Sequence, residues 1–249
     1  MSGYMYKSNS PQVSIVVCCY NASLTVERTL KSLSAQSFED IEIILIDDGS
    51  SDNTVNLLES FASIDPRAKL LKNISNRGTA YSRQRGLENA SCEFVMFIDS
   101  DDIADPELVS RLYDTISKDS AIIGVGCYTK YFINEDKDIG IQRLGPSSKQ
   151  EFEKIYNESK LLFTVPCTIF RKSDAIKVGG YRLDILPNDE GIRYEDFSED
   201  LDLWCRMSDL GADGRYFITL PISLLHYRKP INSLSTRNVK FMQLKMRWI

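Results

Sequence analysis

Through the first half of the chain, short apolar runs alternate with helical repeats, and polar or acidic residues stand directly after the runs. Val13–Tyr20 (VSIVVCCY), Ile41–Ile46 (IEIILI), Lys69–Lys72 and Phe94–Ile98 (FVMFI) read as strands, the first of the kind buried on both faces. Asn21 and Ser23 offer a turn and an N-cap for a helix carrying Val26, Leu30 and Leu33. A second helix starts at about Asn53, with Val55, Leu58 and Phe61 on one face. A third covers Gly78–Ala90, and Pro106 marks the start of a fourth. Strands alternating with helices imply βαβ crossovers, an α/β class and a mostly parallel central sheet. Ligands of such sheets bind beyond the carboxyl ends of the strands. Tyr20-Asn21, Asp47-Asp48 and Asp99-Ser100-Asp101 stand at three of those ends. That convergence on one sheet edge is the main functional clue.

The second half is less regular. Ile122–Ile133 reads as a strand with a long exit, Asn134–Ser148 as a charged loop, and Lys149–Ser159 as a surface helix. Arg182–Ser198 reads as a long polar loop. Glu199–Leu210 (EDLDLWCRMSDL) is a helix with Leu203, Trp204, Met207 and Leu210 on its apolar face, stopped by Gly211. No repeat or linker divides the chain. The expectation is a tail over 1–10, one domain over 11–235, and a C-terminal amphipathic segment over 236–249. Within the domain, 11–117 forms a Rossmann-like nucleotide-binding half, and 118–235 carries the acceptor.

Composition removes several function classes. The net charge of −5 disfavours a nucleic-acid binder, which normally shows a basic excess. No apolar run approaches the roughly 18–20 residues of a membrane span, and Met1–Pro11 lacks the apolar core of a signal peptide. A cytoplasmic location is expected. The six cysteines show no C-x-x-C spacing and read as small buried hydrophobes. With His226 the only histidine, metal chemistry must rest on carboxylates, which favours Mg2+ or Mn2+.

Each candidate admits a plain reading and a chemical one. Asp99 and Asp101, two residues apart on a loop after a strand, can share one divalent cation, or form a solvated acidic turn. Asp48 can accept from a base N–H, or serve as a turn and cap. Arg83, near the start of the third helix, suits a diphosphate, or is a surface arginine. Glu199-Asp200 opens its helix, where the dipole stabilises a carboxylate that could act as a base; acids are also simply frequent at helix starts.

Taken together, five blocks resemble family 2 glycosyltransferases in content and order: Pro11–Asn21, Ser32–Thr54, Asn76–Ala90, Phe94–Pro106 (FVMFIDSDDIADP) and Ser198–Arg206 (SEDLDLWCR). The resemblance covers about Pro11–Leu210 and weakens to about Ser235. It implies a GT-A fold and an inverting enzyme that moves a sugar from a nucleotide-sugar donor, UDP-linked by expectation. The acceptor would be a glycan or lipid-linked glycan of cell-surface polysaccharide biosynthesis. Tyr20, Asn21 and Asp48 would hold the nucleoside, and Arg83 would lie near the uridine or diphosphate. Asp99-Ser100-Asp101 matches the DXD motif, with Asp101 the firmest metal ligand and Asp99 assisting it or contacting ribose. Asp200 matches the catalytic base. Glu199, Trp204 and His226 are candidates for the acceptor side or for supporting contacts behind the site.

One departure concerns Tyr227-Arg228-Lys229-Pro230, where Pro230 replaces a histidine usual in the family; His226, four residues earlier, is the candidate substitute. Another is Gln84, where the family usually has asparagine. Two rival readings are a nucleotide-sugar-binding scaffold without activity and a DxD phosphatase. The phosphatase motif belongs after the first strand of its core, whereas two or three βα units come first here. Asn238–Ile249 (NVKFMQLKMRWI) sets Phe241, Leu244 and Trp248 beside Lys240, Lys245 and Arg247, which suits peripheral contact with an anionic inner membrane face or a helix docked on the core.

Overall fold

The structure is a computed structural model, and it describes residues 10–133, 138–158, 167–183 and 199–229. The expectations for 1–9, for most of Arg182–Ser198, for Pro230 and for 236–249 lie outside those residues.

The first half follows the alternation in the sequence. Strands β1 (Val13–Cys19), β2 (Ile41–Asp47), β3 (Ala68–Lys72) and β4 (Phe94–Phe97) alternate with helices α1 (Val26–Ser34), α2 (Thr54–Ile64) and α3 (Thr79–Asn89). They pair in parallel in the order β3-β2-β1-β4. β1 lies in the middle, and its Val13, Ile15, Val16 and Val17 are fully buried. This is why its run is apolar without alternation. α3 packs so closely on β1 that a Cβ on Gly86 would stand 2.4 Å from a Val16 methyl.

Topology then places a crevice. From β1 the chain moves to β2 and β3 on one side, and after α3 it crosses to β4 on the other side. Right-handed crossovers in opposite directions put their helices on opposite faces. The reversal between β1 and β4 opens a switch point beyond their carboxyl ends. Tyr20-Asn21 and Asp99–Asp102 leave the sheet there.

The second half extends the same sheet. After β5 (Ile103–Ala104) and α4 (Leu108–Ile116) come β6 (Ile122–Phe132), β7 (Asp138–Gln142), α5 (Lys149–Asn157), β8 (Thr168–Arg171), α6 (Lys172–Lys177), α7 (Glu199–Ser208) and β9 (Tyr216–Arg228). β8 joins β4 antiparallel, and the order continues β8-β6-β9-β5, with β7 paired to β6. One sheet therefore runs through both halves of the chain. β6 and β9 are parallel, and their carboxyl ends meet at Phe132 and Arg228.

Three local expectations are corrected. Neither Asn21 nor Ser23 caps α1: the cap position is Thr25, and Asn21 takes a left-handed φ of 49°. The stretch called a loop contains β7, whose Ile139 and Ile141 alternate on an outlying ribbon and stay exposed. Gly211 does not end α7. The helix tightens after Ser208 into a 3-10 turn over Asp209–Asp213, and left-handed Gly214 ends it.

No helix among the described residues is long and apolar enough to cross a membrane.

Candidate active site

At the end of β1 the chain is clipped to the end of β2. The Asn21 amide donates to Ser50 Oγ at 3.0 Å, and Asn21 Oδ1 accepts from the Ser51 amide at 2.9 Å. Asp47 folds back to accept from the Gly49 and Ser50 amides. Tyr20 stands on the rim, 51% exposed. Asp48, 4% exposed, has both oxygens engaged. Oδ1 accepts from Asn73 Nδ2 at 2.6 Å and the Arg77 amide at 2.9 Å, and Oδ2 from the Gly78 amide at 2.9 Å. Its geometric effect is to hold the 73–78 loop that leads into α3.

Arg83, one turn further on, is only 12% exposed, which removes the surface-arginine reading. Its Nη2 donates to Asp99 Oδ1 at 2.9 Å, and its Nη1 lies 3.1 Å from Glu199 Oε1. The guanidinium also stands over the Phe97 ring. Burial alone would lower its pKa, yet Glu199 and Asp99 hold it well above the usual arginine value. For Glu199 burial wins, pushing the carboxyl up to about 8; Arg83 pulls the other way and Asp200 adds to the rise.

The Asp99–Asp102 turn is held from beneath. The Asp102 amide donates to the Asp99 carbonyl at 3.1 Å, and the Asp102 carbonyl accepts from Thr29 Oγ1 of α1 at 2.8 Å. Its carboxylate, 1% exposed, accepts from the Arg228 amide at 2.9 Å. So α1, the acidic turn and the end of β9 converge on one residue. Asp99, Ser100 and Asp101 are left partly open above it. Burial, and then the neighbouring Asp99, push Asp101 up to about 6, while the Arg228 guanidinium, 3.8 Å away, offsets part of the rise. Two half-open carboxylates side by side on one turn suit a hard divalent cation. Among the described residues no third His, Cys, Asp or Glu closes a protein-only cage, so such an ion would draw further oxygens from a ligand or water.

Asp200 lies in the first turn of α7, where its Oδ1 accepts from the Leu201 amide at 2.7 Å. Trp204 lies on the buried side of that helix at 5% exposure, with its ring edge-on to Phe170 and Phe217. It therefore seats α7 in the core and does not face an acceptor. His226 is also displaced from the site. It pairs in register with Ile103 and Lys130, and its pKa is lowered by burial and then by Lys130, with Asp138 and Asp105 as the opposing charges. Next to Tyr227 on β9, it points to the opposite face of the strand.

Four neighbours of the site went unread in the sequence. Arg228 was passed over within the Tyr-Arg block noted for Pro230. Tyr227 is raised well above the usual phenol range by burial, and then by Asp99, Asp102, Asp101 and Asp200. Tyr181 is buried edge-on to Phe97; burial raises it too, against the pull of Arg83. Cys18 is pushed up to about 12 by burial, within the field of Arg83, Asp99, Asp48 and Glu199. Alternation could have shown which side Tyr227 takes, but only once β9 was delimited.

Comparison with known proteins agrees with this geometry. Over 230 residues the chain is 29% identical to an uncharacterized glycosyltransferase of Haemophilus influenzae, covering 92% of this chain and 68% of that one. It superposes on mannosyltransferase PcManGT from Pyrobaculum calidifontis, solved with GDP-Man and Mn2+, with a TM-score of 0.67 at 18% identity over 96% of this chain and 65% of that one. S. aureus TarS 1–349 in complex with UDP-GlcNAc gives 0.66 at 17% identity over 94% and 65%. The chain thus spans about two thirds of the length of these three proteins. At these identities the structural likeness is one of fold, and that fold is GT-A. Residues 14–179 match the model for glycosyl transferase family 2, and the chain belongs to that family.

Proposed function

We propose that the chain transfers a sugar, with inversion, from a UDP-linked donor to a hydroxyl of a glycan or lipid-linked glycan acceptor used in cell-surface polysaccharide synthesis. The observation that carries this reading is the double engagement of Arg83. One guanidinium binds Asp99 of the acidic turn and Glu199 beside Asp200, so the donor-side acids and the candidate base form one charged unit. Binding of UDP-GlcNAc by TarS and of GDP-Man with Mn2+ by PcManGT supports a nucleotide-sugar donor.

In this reading Tyr20, Asn21 and Asp48 line the nucleoside end, and Arg83 and Arg228 border the diphosphate with Asp99, Ser100 and Asp101. Asp101, with Asp99, would hold Mg2+ or Mn2+, which supplies Lewis-acid stabilisation of the leaving diphosphate when bound. Asp200 takes the proton of the acceptor hydroxyl. The hydroxyl oxygen forms a bond to the anomeric carbon as the bond from that carbon to the diphosphate oxygen breaks, and the configuration inverts. Glu199 and Arg83 orient the first turn of α7, so the base need not be placed by the acceptor itself.

A panel of UDP- and GDP-sugars with Mn2+, read as release of nucleoside diphosphate, tests the proposal. Turnover of a UDP-sugar that is lost in Asp101→Ala is expected. Release of phosphate from simple phosphoesters, with no turnover of any nucleotide-sugar, would contradict it.

A further inference from the structure

The chain leaves α6 through Gly179 and Gly180, and a single peptide group there is held from two helices. The carbonyl of the Gly180–Tyr181 peptide accepts from Arg206 Nη2 of α7 at 2.7 Å. The N–H of the same peptide donates to Gln84 Oε1 of α3 at 2.9 Å. Both grips are themselves oriented. Gln84 Nε2 donates to Glu88 Oε1 at 2.8 Å, which turns its oxygen toward Tyr181. Arg206 also binds Asp202 Oδ2 at 2.7 Å and the Val178 carbonyl at 2.6 Å. Gly180 has a φ of +64°, which favours glycine, and a Cβ there would stand 2.4 Å from Gln84 Oε1, so a larger residue would push Gln84 off the amide. Beyond this peptide the Tyr181 ring packs edge-on against Phe97, whose own face lies under Arg83.

We infer that Gln84 is a positioning residue that sets the spacing between α3, which carries Arg83, and α7, which carries Asp200. Arg83 and Gln84 are neighbours on α3 with separate tasks. Arg83 reaches α7 by charge at Glu199, whereas Gln84 reaches it through the Gly180–Tyr181 peptide and Arg206. An ion pair tolerates sliding; two hydrogen bonds on the two ends of one rigid peptide do not. Losing the Gln84 bond therefore lets the base helix shift relative to the acidic turn while leaving the acidic turn itself intact. This rests on the transferase reading above, because it concerns the distance between donor and base.

Gln84→Leu removes the acceptor and leaves an apolar side chain one atom shorter. UDP-N-acetylglucosamine and UDP-glucose with Mn2+ serve as probes, read as release of UDP, alongside calorimetric affinity for UDP. The turnover number is expected to fall about ten- to a hundredfold, with UDP affinity unchanged within about twofold. The swapped pair Gln84→Glu with Glu88→Gln preserves both hydrogen bonds and is expected to restore roughly wild-type turnover. Amide exchange at Tyr181 and over 199–206 needs no donor; it is expected to quicken in Gln84→Leu and recover in the swapped pair. Unchanged turnover in Gln84→Leu, or a parallel loss of UDP affinity, overturns the inference. If the wild-type chain cleaves neither probe, the donor reading fails, and unchanged exchange in Gln84→Leu then overturns the positioning role on its own.

Discussion

Arg83 Nη1 lies 3.1 Å from Glu199 Oε1 across 116 positions of sequence. It is the contact by which the donor-side helix α3 meets the first turn of α7. Because the same guanidinium holds Asp99, its removal leaves two carboxyl groups without their shared donor. Arg83→Met is expected to destabilise the fold by about 1–3 kcal/mol, since it leaves the buried Glu199 carboxyl without its hydrogen-bond partner. Adding Glu199→Met should recover much of that loss in denaturant unfolding without restoring transfer. Recovery of transfer in the double variant would show that the guanidinium only balances charge.

Trp204 belongs to the core and not to an acceptor surface. Trp204→Ala should cost about 3–5 kcal/mol in chemical denaturation. Trp204→Phe should leave KM for any acceptor unchanged, because the ring is buried edge-on to Phe170 and Phe217. A selective rise in acceptor KM in Trp204→Phe would return the residue to the site.

Far from the site, Glu42 sets an acid limit. Burial alone would raise its pKa, but hydrogen bonds from Ser14, Ser91 and Lys69 pull it down to about 2. Its folded value lies below its unfolded one, so its contribution is complete above about pH 4.5 and is lost as pH falls toward 2. The shift is worth about 3 kcal/mol unscreened, and about 2 kcal/mol once solvent screening of this half-exposed group is allowed for. Glu42→Gln should flatten the stability profile between those pH values; an unchanged slope would mean that the three donors are not felt in solution.

Much of this architecture could be read from residues whose environment is local. Val13–Val17 is apolar on both faces because β1 is covered on both faces, and Asp99–Asp102 follows β4 directly, so the parallel strands and the acidic turn are both legible. What the sequence concealed depends on long-range pairing. β8 has only four residues, too few to show a period, yet it joins the two halves of the sheet. β9 contains Pro221, which argues against a strand until the register shift beside Tyr128 makes room for it. His226 admits a ligand role or a buried structural one by its closeness in sequence to Tyr227-Arg228, and only the strand shows that it pairs with Lys130 and faces the other side of β9 from Tyr227. Gln84 looked like a small change in helix chemistry, and only the fold reveals its bond to Tyr181.

The central claim is that binding the donor and removing the acceptor proton belong to separate residues of one site. Asp200→Asn separates them most directly, with transfer from the active UDP-sugar and calorimetric UDP affinity in Mn2+ measured on the same preparation. The account predicts loss of transfer by about a thousandfold or more with UDP affinity nearly unchanged. An equal loss of both, or transfer that survives the substitution, would contradict it.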